Sequence, residues 1–235
     1  TKVRTDDNSV GQLVAEAYYA AFDDQPSQYW PDLAVVNSGA IRFEGVCESR
    51  EILKKGPVKR KVLRDVLPFD NRVVVVSVTH RQLKGILEHG VAGYSAIDPK
   101  GSFLQLAGAE IRVNCSLPSE TIASDGTRAT EGQRVVSVAI QHRPCEVAPS
   151  DPQCGQKVEI PLDPPSDTLK VRIATDSFLQ SGGDNFLDFK SVDPNAADTV
   201  SAGSFNFEIV ARYFQQAYPS TAPLAAEAAD RVMLQ

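Results

Sequence analysis

Apolar residues recur at every third or fourth position between residues 10 and 22. This spacing predicts an amphipathic helix, and Asp7 or Asn8 precedes it as a candidate N-cap. The short apolar run of residues 33–36 follows and predicts a buried strand. The chain therefore opens with a helix and a strand.

The middle of the chain is rich in strand patterns. RVVVVSVT predicts a buried strand, with a helical turn ended by Pro68 before it and a short helix after it. FLQLAGAEIRVN predicts two strands around Gly108, and RVVSVAIQ and LKVRIATDSF predict one strand each. Ser204 is the predicted cap of a last helix. Because helices and strands mix without strict alternation, the predicted class is α+β, a mixed β-sheet covered by helices.

These patterns indicate a single domain over residues 1–235, with a core of about residues 4–218 and an insertion at about residues 114–167. An apolar fraction of 42% is enough for a large core. The chain starts without methionine and enters a helical pattern almost at once. We therefore expect a mature or excised segment of a longer protein.

The charge of the chain excludes one class of partner. The formal net charge is −6, and the isoelectric point is near 5.1. Since proteins that bind phosphate backbones need a cationic face, nucleic acid is not an expected partner. No apolar run reaches the length that a bilayer requires, so no membrane span is predicted in this segment.

The four cysteines form no CxxC pair and have no histidine at zinc-finger spacing, which argues against a structural metal site. Cys145 and Cys154 bracket a loop with two prolines and are predicted to form a disulfide, with two free thiols as the alternative. Cys47 and Cys115 are the remaining pair, although four cysteines permit three connectivities. Disulfides would indicate an extracellular, periplasmic or cell-surface protein.

The common catalytic motifs GxSxG, HExxH, GxGxxG and the P-loop are missing from the sequence. His80, His89 and His142 stand in unrelated contexts without a carboxylate at metal-ligand spacing, so we expect surface or structural roles for them. A metal-dependent hydrolase needs clustered His and Asp ligands. We therefore predict no catalytic residue, metal ligand or cofactor in this chain.

FLQSGGDNF is a candidate binding segment. Phe178 precedes Asp184 by six residues, across Gly182 and Gly183. An aromatic ring can stack on a nucleobase, and a carboxylate can accept hydrogen bonds from vicinal sugar hydroxyls. The alternative is a core phenylalanine beside an aspartate that stabilises a turn. Phe69 follows a proline at a break between helix and strand, where its ring can stay partly exposed, although most such phenylalanines are core residues.

NSGAIR is a second candidate segment, because Asn37 and Arg42 stand five residues apart around a turn that contains Gly39. The backbone N–H groups of residues 38–40 could bind an anion. Arg4 precedes the first helix and could join Arg42 in a phosphate clamp. The alternative for Arg4 is a solvated terminal arginine.

Five segments occur in a fixed order: RTDDNSVGQLVAEA, VVNSGAIR, LPFDNRVVVVSVTHRQLKGILEHG, FLQLAGAEI and VRIATDSFLQSGGDNF. Together they cover most of residues 4–190 and resemble the C-terminal domain of the 5'-nucleotidase and UDP-sugar hydrolase family. One such motif alone would be weak, but five in order are a strong signal. The resemblance implies a mixed α/β fold that follows a separate metallophosphoesterase domain.

The resemblance also implies a division of labour. An N-terminal metallophosphoesterase domain, absent from this chain, would carry two divalent metal ions and hydrolyse the substrate. This domain would bind the nucleotide or nucleoside and contact its own N-terminal domain. By motif, Phe69 and Phe178 would sandwich the base, and Asn37 would contact the base edge.

By the same resemblance, Asp184 would bind the ribose hydroxyls, and Arg4 and Arg42 would reach ribose or phosphate oxygens. The chain departs from the family at Ala40, where a glycine is frequent, and at Asn71, in a variable loop. The leading hypothesis is the substrate-binding domain of a metal-dependent 5'-nucleotidase-type enzyme, inactive by itself. The alternatives are a stand-alone nucleotide-binding or nucleoside-binding module without catalysis, and a domain with a decayed pocket and a structural or adhesive role.

Overall fold

The computed structural model of the protein describes residues 2–42, 58–95, 97–141, 156–217 and 232–234. The helices are α1 (Ser9–Ala20), α2 (Arg60–Val66), α3 (His80–Ala92), α4 (Ser177–Gln180), α5 (Leu187–Lys190) and α6 (Asn206–Ala217). The strands are β1 (Leu33–Asn37), β2 (Arg72–Thr79), β3 (Leu104–Ala107), β4 (Ala109–Val113), β5 (Thr121–Ile122), β6 (Arg128–Thr130), β7 (Val135–Gln141), β8 (Lys157–Glu159), β9 (Lys170–Asp176), β10 (Val200–Phe205) and β11 (Val232–Leu234).

The main sheet has five strands in the order β10-β2-β9-β1-β3. β1 and β9 are parallel, and the other neighbours are antiparallel. Its central strands are buried on both faces, which explains their continuous apolar sequences. Val35 and Val76 belong to a core cluster with α3, whereas Val36 and Val75 belong to a cluster with α1 and α6. The predicted α+β class, a mixed sheet covered by helices, is confirmed.

A second sheet, in the order β11-β4-β7-β8, packs on the α3 side of the main sheet. Its strand β7 lies inside the predicted insertion of residues 114–167. Val138 on β7 and Ile111 on β4 are buried in the same core cluster as Leu83 on α3. The part of the predicted insertion that forms β7 is therefore integral to the core.

The ends of the first and last helices test two capping predictions. Asn8 caps α1, since its side chain accepts hydrogen bonds from the N–H groups of Val10 and Gly11 at 3.0 and 3.3 Å. The prediction that Ser204 caps the last helix is wrong. Ser204 lies in β10, and α6 begins at Asn206. The strand pattern of β10 is weak because its central residues, Ala202, Gly203 and Ser204, are small. Gly203 also has a positive φ of 73°.

The Gly108→Ala variant is expected to lower the free energy of unfolding by about 2 kcal/mol. Gly108 has a φ of 72°, and a Cβ there would lie 2.6 Å from the Tyr19 ring. Gly126→Ala is the matched control, because Gly126 has a φ of 82° but nothing within 4 Å of its added Cβ. Urea denaturation of both variants measures the difference, and equal losses would contradict the proposed collision with Tyr19.

Two further predictions concern the membrane and the cysteines. Within the described ranges, no helix is long and apolar enough to cross a membrane. Cys115 is free and half-buried in the part of the chain that the structure describes, and its predicted partner Cys47 lies outside that part, so this pairing stays a prediction. Cys47, Cys145 and Cys154 lie outside the described residues, so the bridge between Cys145 and Cys154 stays a prediction.

Candidate functional site

Most of the candidate residues come together at one edge of the main sheet. Asn37 ends β1 and Asp176 ends β9, and these two strands are parallel, so both residues lie at the same edge. β2 is antiparallel to β9, which brings its amino end to this edge as well. Phe69, just before β2, and Phe178, just after β9, therefore both lie at this edge. We call it the site edge.

Asn37 and Asp184 form a hydrogen-bonded pair at the site edge. Asn37 is 2% exposed, and its Nδ2 donates to Oδ2 of Asp184 at 2.7 Å. Asp184 itself is exposed. The Oδ1 atom of Asn37 is buried and has no hydrogen-bond partner in the part of the chain that the structure describes. The pair thus offers an exposed carboxylate, whereas the unpaired Oδ1 of Asn37 is closed to solvent.

Gly39 allows two loops to approach closely at the site edge. A Cβ on Gly39 would lie 3.2 Å from the Cα and O atoms of Gly101. The N–H of Gly39 donates to the carbonyl of Gly101, and the N–H of Ser38 donates to that of Phe103, both at 2.8 Å. The expectation that these N–H groups could bind an anion is therefore wrong for Ser38 and Gly39.

The ring of Phe178 is 39% exposed, so it is not a core residue. It packs on the Gly182-Gly183 turn, where a Cβ on Gly183 would lie 2.5 Å from Cε1 and Cζ of the ring. Gly182 has a positive φ of 85°. These two glycines let the ring lie close to the turn while much of it remains open to solvent.

Phe69 is 43% exposed, and the Arg42 guanidinium lies 5.4 Å from the centroid of its ring. This is the range of a cation–π contact. The backbone N–H of Arg42 also donates to the carbonyl of Val66, at the end of α2, at 2.8 Å. Two of the predicted residues, Arg42 and Phe69, are therefore in direct contact.

Arg4 lies in a 3-10 turn that packs against the 3-10 turn Ser38–Ala40. The buried residue Gln105 holds this segment, because its Nε2 donates to the carbonyls of Val3 and Asp6 at 3.0 and 2.9 Å. Gln105 is not among the site residues predicted from the sequence. Its only signal is a polar residue inside the apolar strand pattern FLQLAG.

A group of charged residues lies beneath the Asp184 turn, and we call it the His89 cluster: the buried His89 and Glu120 with the partly buried Arg128 and Asp188. His89 contacts Glu120 and the backbone carbonyl of Asp184, and Arg128 contacts both Glu120 and Asp188. The sequence does not indicate the contact between His89 and Glu120, because 31 positions separate the two residues. The expected structural role of His89 agrees with this burial.

The other histidine that the structure describes, His80, is not part of the His89 cluster. His80 is buried at the start of α3, and burial lowers its pKa. His142 lies outside the described residues. Over the described ranges, no group of three or more His, Cys, Asp and Glu side chains could hold a metal ion.

Comparison with known proteins gives a family. Residues 1–191 match the family model described as 5'-nucleotidase, C-terminal domain. Protein 5NUC from Lutzomyia longipalpis is 31% identical over 195 residues, which are 81% of this chain and 29% of that protein. Apyrase from Tabanus yao is 25% identical over 222 residues, which are 93% of this chain and 34% of that protein. The chain thus spans about a third of the length of these relatives.

Solved structures agree with the sequence comparison. The crystal structure of a 5'-nucleotidase precursor from Thermus thermophilus superposes with a TM-score of 0.70 and 22% identity, over 99% of this chain and 36% of that chain. This likeness shows the fold, and the family match spans every candidate site residue from Arg4 to Asp184. The resemblance found in the five sequence motifs is therefore confirmed, and the chain belongs to the family of 5'-nucleotidase C-terminal domains.

Proposed function

We propose that this chain is the substrate-binding domain of a metal-dependent 5'-nucleotidase-type phosphohydrolase, and that it binds the nucleoside part of a nucleotide. The observation that carries the proposal is the meeting of an exposed Phe178 ring with the Asn37–Asp184 pair at the site edge. Such a combination of a flat apolar surface and a few convergent polar groups is typical of small-molecule sites.

The base is proposed to stack between Phe69 and Phe178. Both rings are exposed and lie at the ends of neighbouring strands at the same edge of the sheet, Phe69 before β2 and Phe178 after β9. Stacking on an aromatic side chain contributes about 1–3 kcal/mol per base. Asn37, which is fixed beside Asp184 by its hydrogen bond, is proposed to contact the edge of the base.

The sugar and phosphate are proposed to contact the charged residues near the two rings. Asn37 donates to one oxygen of Asp184, which leaves the other oxygen to accept from ribose hydroxyls. Arg42 lies beside Phe69, and Arg4 lies in the turn that packs on Ser38–Ala40. Their guanidinium groups suit phosphate oxygens because they carry a permanent charge and several donors.

Hydrolysis is proposed to occur in an N-terminal metallophosphoesterase domain outside this chain, on two divalent metal ions. Metal ions of this kind polarise the phosphoryl group and activate water. The description of the matched family, 5'-nucleotidase, and the name of one relative, apyrase, support hydrolysis by the complete protein. An extracellular, periplasmic or cell-surface location is also proposed, on the predicted bridge between Cys145 and Cys154.

Calorimetric titration of the 235-residue chain with adenosine and AMP tests the binding function. We expect saturable binding of both ligands, and tighter binding of AMP because its phosphate can contact the two arginines. Phe178→Ala removes one stacking surface, so its affinity for adenosine is expected to fall about 30-fold, or about 2 kcal/mol.

Leu169→Ala is the matched control for Phe178→Ala. Leu169 is 58% exposed and precedes β9, whereas Phe178 follows it, so the control removes an exposed apolar side chain from the opposite edge of the sheet. Its affinity should equal that of the wild type. An absence of binding heat at millimolar ligand, or an equal loss of affinity in both variants, would refute the proposed function.

A further inference from the structure

The turn that carries Asp184 has a strained backbone. Asp184 and Asn185 have φ angles of 53° and 66°, and in the described part of the chain they are the only residues other than glycine with positive φ. Aspartate and asparagine tolerate this left-handed region better than most residues, but it remains unfavourable. Contacts from the surrounding structure must therefore hold the turn.

His89 supplies such a contact. Its Nε2 atom lies 2.8 Å from the backbone carbonyl oxygen of Asp184. The Phe186 ring, two residues beyond Asp184, packs edge-on against the imidazole with a centroid distance of 4.6 Å. A carbonyl oxygen only accepts hydrogen bonds, so Nε2 carries a proton and donates it.

The second ring nitrogen of His89 faces an acceptor as well. Nδ1 lies 2.8 Å from Oε2 of Glu120, and Arg128 donates to Oε1 of Glu120 at 2.6 Å. Burial opposes the charge of Glu120, but the hydrogen bonds from His89 and Arg128 outweigh it and lower the pKa of this carboxyl. Because an ionised carboxylate only accepts, both ring nitrogens donate and His89 is an imidazolium.

The remaining charges around the ring come from three elements. Arg128 on β6 also donates to Asp188 on α5. Glu88, beside His89 on α3, accepts two hydrogen bonds from backbone N–H groups at 3.0 and 2.9 Å. The cations His89 and Arg128 thus lie between the anions Glu120 and Asp188. The charge of the buried imidazolium is therefore compensated.

We propose that the His89 imidazolium, held by Glu120, is a positioning residue of the nucleoside site that clamps the Asp184 carbonyl and so aims the Asp184 carboxylate at the ligand. This inference rests on the proposed function. It also gives a role to the hairpin of β5 and β6, because Glu120 stands directly before β5 and Arg128 begins β6.

The clamp depends on pH. Burial works against the charged ring, but its hydrogen bonds to Glu120 and to the Asp184 carbonyl outweigh this effect and raise the pKa of His89. As the pH rises through that pKa, the ring loses one proton. The remaining proton stays on Nδ1, because a carboxylate is a stronger acceptor than a carbonyl. The lone pair of Nε2 then faces the carbonyl of Asp184, and affinity for a nucleoside is expected to fall about tenfold.

Glu120→Gln separates this clamp from a general structural role. The new amide oxygen can accept from Arg128 while the amide nitrogen donates to Nδ1 of His89. A neutral ring then carries its proton on Nε2 and keeps the bond to Asp184. We therefore expect this variant to lack the fall in adenosine affinity that the wild type shows as its His89 ring titrates.

The test combines two measurements on the 235-residue chain. The ¹⁵N resonances of the His89 ring are followed from about pH 6 to about pH 9, and adenosine is titrated calorimetrically over the same range. In the wild type, both ring nitrogens should be protonated at the acidic end, and affinity should fall as the ring titrates. In Glu120→Gln, this fall should be absent.

Three results would overturn the proposal: a neutral His89 ring at the acidic end, a wild-type affinity that stays constant while the ring titrates, or the same fall in Glu120→Gln. The first two use the wild type and do not depend on the folding of a variant. If adenosine does not bind at any pH, the proposed function fails separately. The clamp is then judged on the amide resonance of Asn185, which must shift with the ring in the wild type and stay fixed in Glu120→Gln.

Discussion

The Asp176→Asn substitution is expected to raise the free energy of unfolding, and so to stabilise the protein, by about 3 kcal/mol at neutral pH. Asp176 is fully buried at the end of β9. Burial raises its pKa from 3.8 to about 6, although the N–H groups of Leu179 and Phe178 and the side chain of Asn71 donate to it and work in the opposite direction. Above that pKa the fold contains a buried negative charge, which asparagine would remove.

The sign of this effect fixes its pH dependence. The folded-state pKa of Asp176 is raised, so the stability that its carboxyl contributes is fully present below pH 3.8 and is lost as the pH rises to about 6. Asparagine does not titrate. The two proteins should therefore be about equally stable near pH 4, and the full difference should appear at about pH 7.

Asparagine is a suitable replacement because it keeps the cap of α4. Oδ1 of Asp176 accepts from the N–H groups of Phe178 and Leu179, each at 3.1 Å, and an amide oxygen can do the same. Asn71, whose Nδ2 lies 3.5 Å from Oδ2, needs only an amide flip to accept instead. Asp176→Ala is the control, because it removes the charge but also loses the cap, so it should be less stable than Asp176→Asn at every pH.

Urea denaturation at a series of pH values measures these differences. The prediction fails if Asp176→Asn is no more stable than the wild type at neutral pH, or if the difference between them does not change with pH. Asp176 also joins the two proposed stacking segments, since it caps the helix that begins beside Phe178 and contacts Asn71 near Phe69. A costly buried charge at such a position is typical of binding sites that retain strain for function.

The sequence pattern predicts the parts of this fold that depend on local periodicity. The strand pattern RVVVVSVT coincides with β2, and the apolar stripe from residue 10 coincides with α1. β10 was missed because Ala202, Gly203 and Ser204 lack the side chains that favour strands. β8 and β11 have three residues each, too few for a periodic signal.

The candidate site also contains residues that the sequence pattern predicts and residues that it does not. Asn37, Phe178 and Asp184 stand in motifs at strand ends, and their positions at one edge follow from the parallel pairing of β1 and β9. His89 and Glu120 carry no such signal. Their contact depends on how a hairpin packs on α3, which is a tertiary event that a local pattern does not encode.

The Asn37→Asp variant is expected to lower the free energy of unfolding by about 3 kcal/mol and to abolish measurable nucleoside binding. Asn37 is 2% exposed, so a carboxylate there would be desolvated. It would also replace a donor by an acceptor, opposite Oδ2 of Asp184 at 2.7 Å. Because Asp184 is exposed, solvent screens part of the repulsion between the two carboxylates, and burial of the new charge is the larger cost.

Asn37→Ser is the matched control, because it removes the same hydrogen bond without adding a charge. Its loss of stability should be about 1 kcal/mol, the usual contribution of one hydrogen bond. Urea denaturation and adenosine titration of both variants give the comparison. Protonation would restore a donor between the two carboxyls, so the deficit of Asn37→Asp should shrink in acid, whereas that of Asn37→Ser should not. Equal deficits at neutral pH would mean that Asn37 fills space without setting the charge at the site, and its proposed contact with the base would lose its support.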